Sequence, residues 1–331
     1  MSGSPCITVL GNGGFGTALS MVQHWNGHDV RLWGHDAEYT ATIAATRENP
    51  RYLTGVSVPE GIDVSSDAPR LLAGADAVLL VVPTQHVRSV LDVIGAEIPD
   101  DCPVVVCCKG MEEVTGLVPS AICQRMLPGR PVYVLTGPCH AEELAREQPA
   151  SLVLAGPGAG LPGLQGMLSG PTFRVYRSED ALGAALCAAV KNIIAIAAGI
   201  CDGLGLGDNA KAALLTRGLA EMTRFGESLG AKRETFYGLA GIGDLITTAV
   251  SPHGRNRALG ERIGHGETLQ QILASTCKVV EGVWTCRAVL TQAETLGVRM
   301  PVAEEVSRVL FEDRAPKEAV RALMGRDLCE E

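Results

Sequence analysis

Aromatic residues make up only 4% of this 331-residue chain, and 28 Lys and Arg stand against 37 Asp and Glu, a formal net charge of −9. Few aromatics argue against an all-β sandwich. The deficit of positive charge argues against a nonspecific nucleic-acid or membrane-surface binder, so an anionic ligand has to be held by local cations. The eleven cysteines are odd in number and include no C-x-x-C pair, which speaks against a disulfide framework or a zinc knuckle and for reduced, buried thiols. No H-E-x-x-H, Walker loop or G-x-S-x-G motif occurs, so metal-assisted and covalent acyl chemistry have no support. The longest apolar run, 184–200, is broken by Lys191 and Asn192 and falls short of the ~18 uncharged residues of a membrane span. It reads as a buried helix. Residues 1–5 lack the basic segment and apolar core of a signal peptide, and a cytoplasmic location is expected.

What is abundant is aliphatic residue and glycine: 46% hydrophobic, with 39 Gly. Short β-branched runs at 6–10, 29–33, 77–82, 103–107, 132–135 and 151–154 alternate with amphipathic segments. That rhythm predicts βαβ units and a mostly parallel sheet covered on both faces. After a Gly- and Pro-rich loop at 156–170, one more strand is predicted at 173–176. From 178 onward, apolar residues recur at three- and four-residue spacing, predicting helices over 179–201, 209–229, 268–274, 283–296, 303–311 and 316–323. The glycine clusters 203–207 and 238–243 read as loops between them. A domain of residues 1–177 followed by one of residues 178–331 is expected, the length allowing two domains of roughly 150 residues each.

The first strand runs into Gly11-Asn12-Gly13-Gly14-Phe15-Gly16 and then an amphipathic segment from Thr17. G-x-G-x-x-G carries meaning in this strand, turn and helix setting. Gly11 allows the tight turn, Gly13 admits a pyrophosphate to the backbone, and Gly16 lets helix and strand pack closely. The helix N-terminus adds free N–H groups and a partial positive charge. The expected architecture is therefore α/β: an N-terminal Rossmann-type doubly wound, mostly parallel sheet followed by an all-helical C-terminal domain. At the end of the second strand, where an NAD-specific site places an acid for the ribose hydroxyls, Trp33 is followed by Gly34, His35 and only then Asp36. NADP is expected to be accepted alongside NAD. His35 is either beside the adenosine ribose or a solvated loop residue.

Several cations and their neighbours stand out. Lys109 follows an aliphatic strand, at the carboxyl edge where such sheets bind ligands, or else is an exposed loop lysine. Lys191 lies within 184–200 among small and aliphatic residues. A helix apolar all round is buried, and burying a lone ammonium is costly and lowers its pKa. Lys191 thus faces a cleft or does proton chemistry, unless it snorkels to the surface. Asp244 is its counter-ion or a helix N-cap. Arg255, Asn256 and Arg257 offer a guanidinium fork and an amide that suit a phosphate, or form a solvated basic turn.

With these segments placed, the chain resembles bacterial NAD(P)-dependent glycerol-3-phosphate dehydrogenase over nearly its whole length. The signatures are residues 11–19 (GNGGFGTAL), 32–35 (LWGH), 108–112 (CKGME), 136–143 (TGPCHAEE), 189–193 (AVKNI), 216–222 (TRGLAEM), 241–245 (GIGDL), 254–257 (GRNR) and 279–282 (VVEG). The resemblance implies that Lys191 exchanges the proton at the substrate's C2 oxygen and that Lys109 contacts substrate and cofactor. It places Gly137, Cys139, Asp244, Gly254, Arg255 and Asn256 at the glycerol phosphate site. It places Gly14, Phe15, His35, Ala141, Arg255, Val279 and Glu281 at the dinucleotide. It also implies a homodimer, its interface supplied by the apolar helices of the second half. Two departures stand out: the family usually has Ser or Thr where Cys139 stands, and often Ser where Gly254 stands.

The expected reaction is reduction of dihydroxyacetone phosphate by NADPH or NADH to sn-glycerol 3-phosphate, which the resemblance links to phospholipid synthesis. Two rival readings differ from it in observable ways. A related two-domain dehydrogenase acting on a β-hydroxyacid has no need of a phosphate grip. A non-catalytic nicotinamide-binding sensor has no need of a buried lysine.

Overall fold

The computed structural model describes residues 4–276 and 279–326. Residues 1–3, part of the segment read as lacking a leader, and 327–331, the tail of the second expected domain, lie outside the described residues, as do 277–278. By its internal contacts the chain divides into two units, Met1–Lys109 with Leu117–Ala185, and Gly110–Gly116 with Leu186–Glu331.

The first unit is built on ten strands in chain order: β1 (Cys6–Leu10), β2 (Asp29–Trp33), β3 (Glu48–Asn49), β4 (Leu53–Ser57), β5 (Ile62–Ser65), β6 (Ala77–Leu80), β7 (Val104–Val106), β8 (Val132–Thr136), β9 (Ala150–Ala155) and β10 (Phe173–Ser178). Eight of them form one sheet in the order β10-β9-β8-β7-β6-β1-β2-β5, while β3 and β4 pair as a separate hairpin. Every pairing in the large sheet is parallel except β8 with β9. Both faces are covered, which is why the central strands read as unbroken aliphatic runs. Ile7, Val9, Ala77, Leu79 and Val105 enter one core, and Leu10, Val78, Leu80, Val104 and Val106 enter the other, following the two-residue period of a strand.

The predicted mostly parallel sheet is thus present, with differences of detail. The strands β3, β4 and β5 are additional to those predicted, and β9 runs against β8. A parallel crossover takes about a dozen residues or more, usually with a helix. Residues 137–149 hold one four-residue helix, Ala141–Leu144, and return the chain antiparallel.

Among the described residues the second unit contains no strand. Its central helix, Ala181–Gly203, begins in the last residues of the first unit and is buried throughout 183–200. It is the one described helix long and apolar enough to cross a membrane, with a mean hydropathy of 2.0, but its apolar window is wholly enclosed by protein. Glycine explains how closely its neighbour approaches. A Cβ on Gly199 or Gly203 would overlap backbone of the helix Arg255–Gly264, and one on Gly260 would overlap the Ile196 carbonyl. This backbone-to-backbone contact fixes the helix of Lys191 against the helix that begins with Arg255. The cluster 238–243, expected as loop, is instead a single wide turn of π-helix over Leu239–Gly243 leading into the helix Asp244–Val250.

Candidate active site

In the first unit, β1 ends at the predicted glycine loop and α1 (Gly14–Trp25) follows at once. Gly11 has φ +119°, and a Cβ there would stand 2.7 Å from the Val81 carbonyl oxygen. A Cβ on Gly16 would overlap the Gly11 carbonyl, whereas nothing lies within 4 Å of one on Gly13. The crowded positions pack the turn and the open one leaves space. The start of α1 has no side-chain cap and no acid in its first turn, and its first intrahelical bond is donated by Thr17 N–H to Gly13 at 2.9 Å. Its leading N–H groups therefore suit a diphosphate, and a dinucleotide fits this loop.

The loop is held from outside by a polar network. Asn49, fully buried in the β3–β4 hairpin, donates through Nδ2 to the Asn12 carbonyl (2.9 Å) and to Thr17 Oγ1 (2.8 Å). The Asn12 amide in turn donates to Thr40 Oγ1 at 3.0 Å. His35 lies exposed just beyond β2, and Asp36 caps α2 (Ala37–Thr46) by accepting from Tyr39 N–H at 3.0 Å.

Lys109 follows β7, as predicted for a residue at the carboxyl edge of the sheet. Its Nζ donates to the Gly137 carbonyl (3.0 Å) and to Cys139 Sγ (3.3 Å), and lies 5.8 Å from the centre of the Phe15 ring. The Cys139 thiol also donates to the Gly137 carbonyl, at 2.9 Å. Lys109, Phe15, Gly137 and Cys139 are therefore one cluster, and Ala141 opens the short helix immediately after it. Cys139 is half-buried, while the other eight described cysteines are buried. Burial pushes the thiols of Cys6, Cys102 and Cys123 up to about 11, 12 and 12.

In the second unit, Lys191 is only 4% exposed, as the apolar run around it implied, and it is not left without partners. Its Nζ donates to Asp244 Oδ1 (2.8 Å) and Thr248 Oγ1 (2.5 Å). Asp244 opens the helix Asp244–Val250 without capping it, so of the two readings of this residue the counter-ion is the one observed. Thr248 stands one turn further along that helix and its hydroxyl reaches the same carboxylate oxygen (3.4 Å). Sequence reasoning missed it, although the four-residue spacing from Asp244 puts both on one helix face.

Gly254, Arg255 and Asn256 begin the helix Arg255–Gly264, whose N-terminus has no side-chain cap. A Cβ on Gly254 would lie 2.5 Å from the Thr248 carbonyl oxygen, which accounts for glycine where the family often has serine. The exposed Arg255 donates to the Val279 carbonyl at 3.1 Å. Asn256 is bonded internally: Nδ2 donates to Asn192 Oδ1 (2.9 Å) and Oδ1 accepts from Gly282 N–H (3.0 Å). It joins the helix of Lys191 to the start of the helix Glu281–Leu296, where Glu281 is a first-turn acid favoured by the helix dipole. Asn192 was not expected to take part in this cluster. Arg257, read as part of the basic turn, pairs with Asp202 (2.5 Å) and Glu261 (3.2 Å) and serves the fold.

A doubly wound sheet with an open glycine turn after its first strand, followed by a helical unit that buries a carboxylate-paired lysine, defines a two-part nicotinamide-dependent dehydrogenase. Residues 6–159 match the NAD-dependent glycerol-3-phosphate dehydrogenase N-terminus and residues 180–321 the corresponding C-terminus. The chain is 44% identical over 323 residues to a glycerol-3-phosphate dehydrogenase (NAD(P)+) of Rhodospirillum rubrum, covering 97% of this chain and 93% of that one. It is 45% identical over 327 residues to the Geobacillus thermodenitrificans protein of the same name, covering 97% and 94%. The crystal structure of glycerol-3-phosphate dehydrogenase from Coxiella burnetii superposes with a TM-score of 0.94 at 35% identity, covering 98% of this chain and 99% of that one. The chain belongs to the NAD-dependent glycerol-3-phosphate dehydrogenase family and is an NAD(P)-dependent oxidoreductase.

Proposed function

We propose that the chain reduces dihydroxyacetone phosphate to sn-glycerol 3-phosphate with NADPH or NADH, reversibly, in the cytoplasm and as a homodimer, supplying glycerophospholipid synthesis. Residues 1–177 bind the dinucleotide and residues 178–331 bind the substrate. The observation that carries this reading is the Lys191 ammonium, almost wholly buried and fixed by Asp244 and Thr248. When bound, the nicotinamide supplies the hydride that reaches C2. As charge grows on the C2 oxygen, Lys191 donates a proton to it, so that the ketone becomes a secondary alcohol. Asp244 and Thr248 hold the amine in place, and a preoriented cation lowers the barrier more than one that must turn to meet the charge.

Lys109, supported by the Gly137 carbonyl and Cys139, adds positive charge for substrate and cofactor. Arg255 and the uncapped N–H groups at Arg255 and Asn256, which follow Gly254 with its own N–H held by the Ser251 carbonyl (3.1 Å), grip the substrate phosphate, whose binding orients C2. The carboxamide of Asn256 keeps that helix start in register with Asn192 and Gly282. The dinucleotide is held by Gly11, Gly13, Gly14, Phe15 and Gly16, with His35, Ala141, Val279 and Glu281 as further contacts. The test is loss of reduced-nicotinamide absorbance on adding dihydroxyacetone phosphate, run with each cofactor. Rapid loss is expected. Activity on a nonphosphorylated 3-hydroxyacid instead, or cofactor binding with no turnover on any 2-keto phosphate, overturns the proposal.

A further inference from the structure

The residues beyond β2 combine an engaged carboxylate with a mounted guanidinium. Asp36 stands near where a dinucleotide fold places its ribose acceptor, but Oδ1 caps α2 by accepting Tyr39 N–H. That hydrogen bond first, and the Arg51 charge after it, hold the Asp36 carboxyl below the usual carboxylate range. Its Oδ2 faces Arg51 NH1 at 3.5 Å, the outer limit of a hydrogen bond. Arg51 belongs to the turn of the β3–β4 hairpin, far along the chain from the strand end it serves. Its guanidinium carbon lies 4.1 Å above the Tyr39 ring, and its side chain keeps 55% exposure.

The mount of that guanidinium is rigid. Arg51 N–H donates to Tyr39 Oη (3.1 Å), and Tyr39, itself buried, donates to Asn49 Oδ1 (2.5 Å). Asn49 is the residue that grips Asn12 and Thr17 of the glycine loop. Tyr52, next in the chain, is tied to the same Asn49 oxygen through its N–H (3.2 Å). The base of Arg51 is therefore fixed to the loop that receives the pyrophosphate, while its fork is loosely held and open to solvent. A guanidinium stacked on a ring presents its donor edge to a phosphate, a geometry that lysine does not reproduce.

We infer that Arg51 is the residue that selects the 2′-phosphorylated dinucleotide, by turning its guanidinium fork from Asp36 onto the 2′-phosphate. The inference rests on the dehydrogenase reading for its cofactor but concerns binding alone. The test is calorimetric titration of the full chain and of Arg51→Gln and Arg51→Lys with four ligands: NADPH, NADH, adenosine 2′,5′-bisphosphate and adenosine 5′-monophosphate. Arg51→Gln is expected to weaken both 2′-phosphorylated ligands by about ten- to hundredfold, the size of a charge-assisted hydrogen bond to phosphate. NADH and adenosine monophosphate stay within about twofold, the surface change being otherwise small. Arg51→Lys recovers part of the loss. Equal weakening of all four ligands, as from a disturbed hairpin, or no change in any of them overturns the inference. Failure of the parent reading shows separately, as absence of turnover with dihydroxyacetone phosphate while these affinities are unaffected.

Discussion

The two units each present a lysine to the proposed chemistry, and they hold it in different ways. Lys109, at the end of a strand, is half-buried and rests on a backbone carbonyl and a thiol. Lys191, in the middle of an enclosed helix, rests on a carboxylate and a hydroxyl. A sheet edge can carry a cation with neutral dipoles because water remains near it. A helix core cannot, since an isolated buried charge is costly and a paired one is tolerated. The position that holds the proposed proton-transfer group most firmly is therefore also the one whose loss disturbs the fold most.

The largest effect that separates the two is on stability. Lys191→Ala leaves Asp244 buried without its ammonium and is expected to cost about 3–5 kcal/mol, while Lys109→Ala is expected to cost about 1 kcal/mol or less, an ordinary half-exposed loss. Adding Asp244→Ala to the Lys191 variant recovers most of its stability and none of its activity. Urea unfolding of the four proteins measures this, and equal costs at the two lysines break the comparison.

Next in size is a buried acid that lacks a cationic clamp like that of Asp244. Glu221 accepts from Val302 N–H (2.8 and 3.1 Å) and Ala303 N–H (3.4 Å) at the start of the helix Pro301–Phe311, and burial pushes its carboxyl up to about 7. The unfolded chain ionises this group near 4.5, so between these values the folded state binds more protons. Stability is full below the lower value and declines as pH rises through about 7, by up to about 3 kcal/mol. Glu221→Gln is expected to flatten that decline in unfolding midpoints taken from pH 5 to 8. An unchanged slope contradicts the assignment.

Smaller still is the support of the glycine loop. Asn49→Ala removes the donor to Asn12 and Thr17 and is expected to cost about 1–3 kcal/mol. It weakens NADH as much as NADPH, unlike Arg51→Gln, and titration of both cofactors distinguishes the two residues. The mildest probe is chemical. With a thiol reagent at neutral pH, Cys139 is expected to react before the other eight described cysteines, since it alone among them is half-exposed and has a lysine beside it. Peptide mapping over time measures this, and earlier labelling of Cys107 or Cys187 contradicts it.

Much of this was legible in the sequence, for physical reasons that also mark where legibility ends. The strands β1, β6, β7 and β8 are written as unbroken apolar runs because both of the sheet's faces are covered there, while β2 and β10 are marked by buried apolar residues that alternate with more exposed ones. The β3–β4 hairpin was invisible. Two residues at Glu48–Asn49 carry no period, and Leu53–Ser57 is largely exposed and interrupted by Gly55. With the hairpin went Asn49 and Arg51, whose roles depend on a fold-back that brings them to β2 and α1.

The glycine loop could be read because its meaning lies in adjacent residues. The pairing of Lys191 with Asp244 could only be posed as an alternative, since it spans 53 residues and no local rule reaches so far. Asn256 reads in the sequence as an amide offered to a phosphate at a helix start, and the helix does begin there. Its carboxamide turned inward because Asn192, one residue past Lys191, needed a partner in the same apolar helix.

The most direct test of the proton-donor assignment is the rate of reduced-nicotinamide oxidation by Lys191→Ala, paired with Asp244→Ala to preserve the fold, under saturating dihydroxyacetone phosphate. The account predicts a fall of about 10²–10⁴-fold or more, with dinucleotide affinity close to that of the parent chain. A variant that keeps most of the parent rate contradicts it.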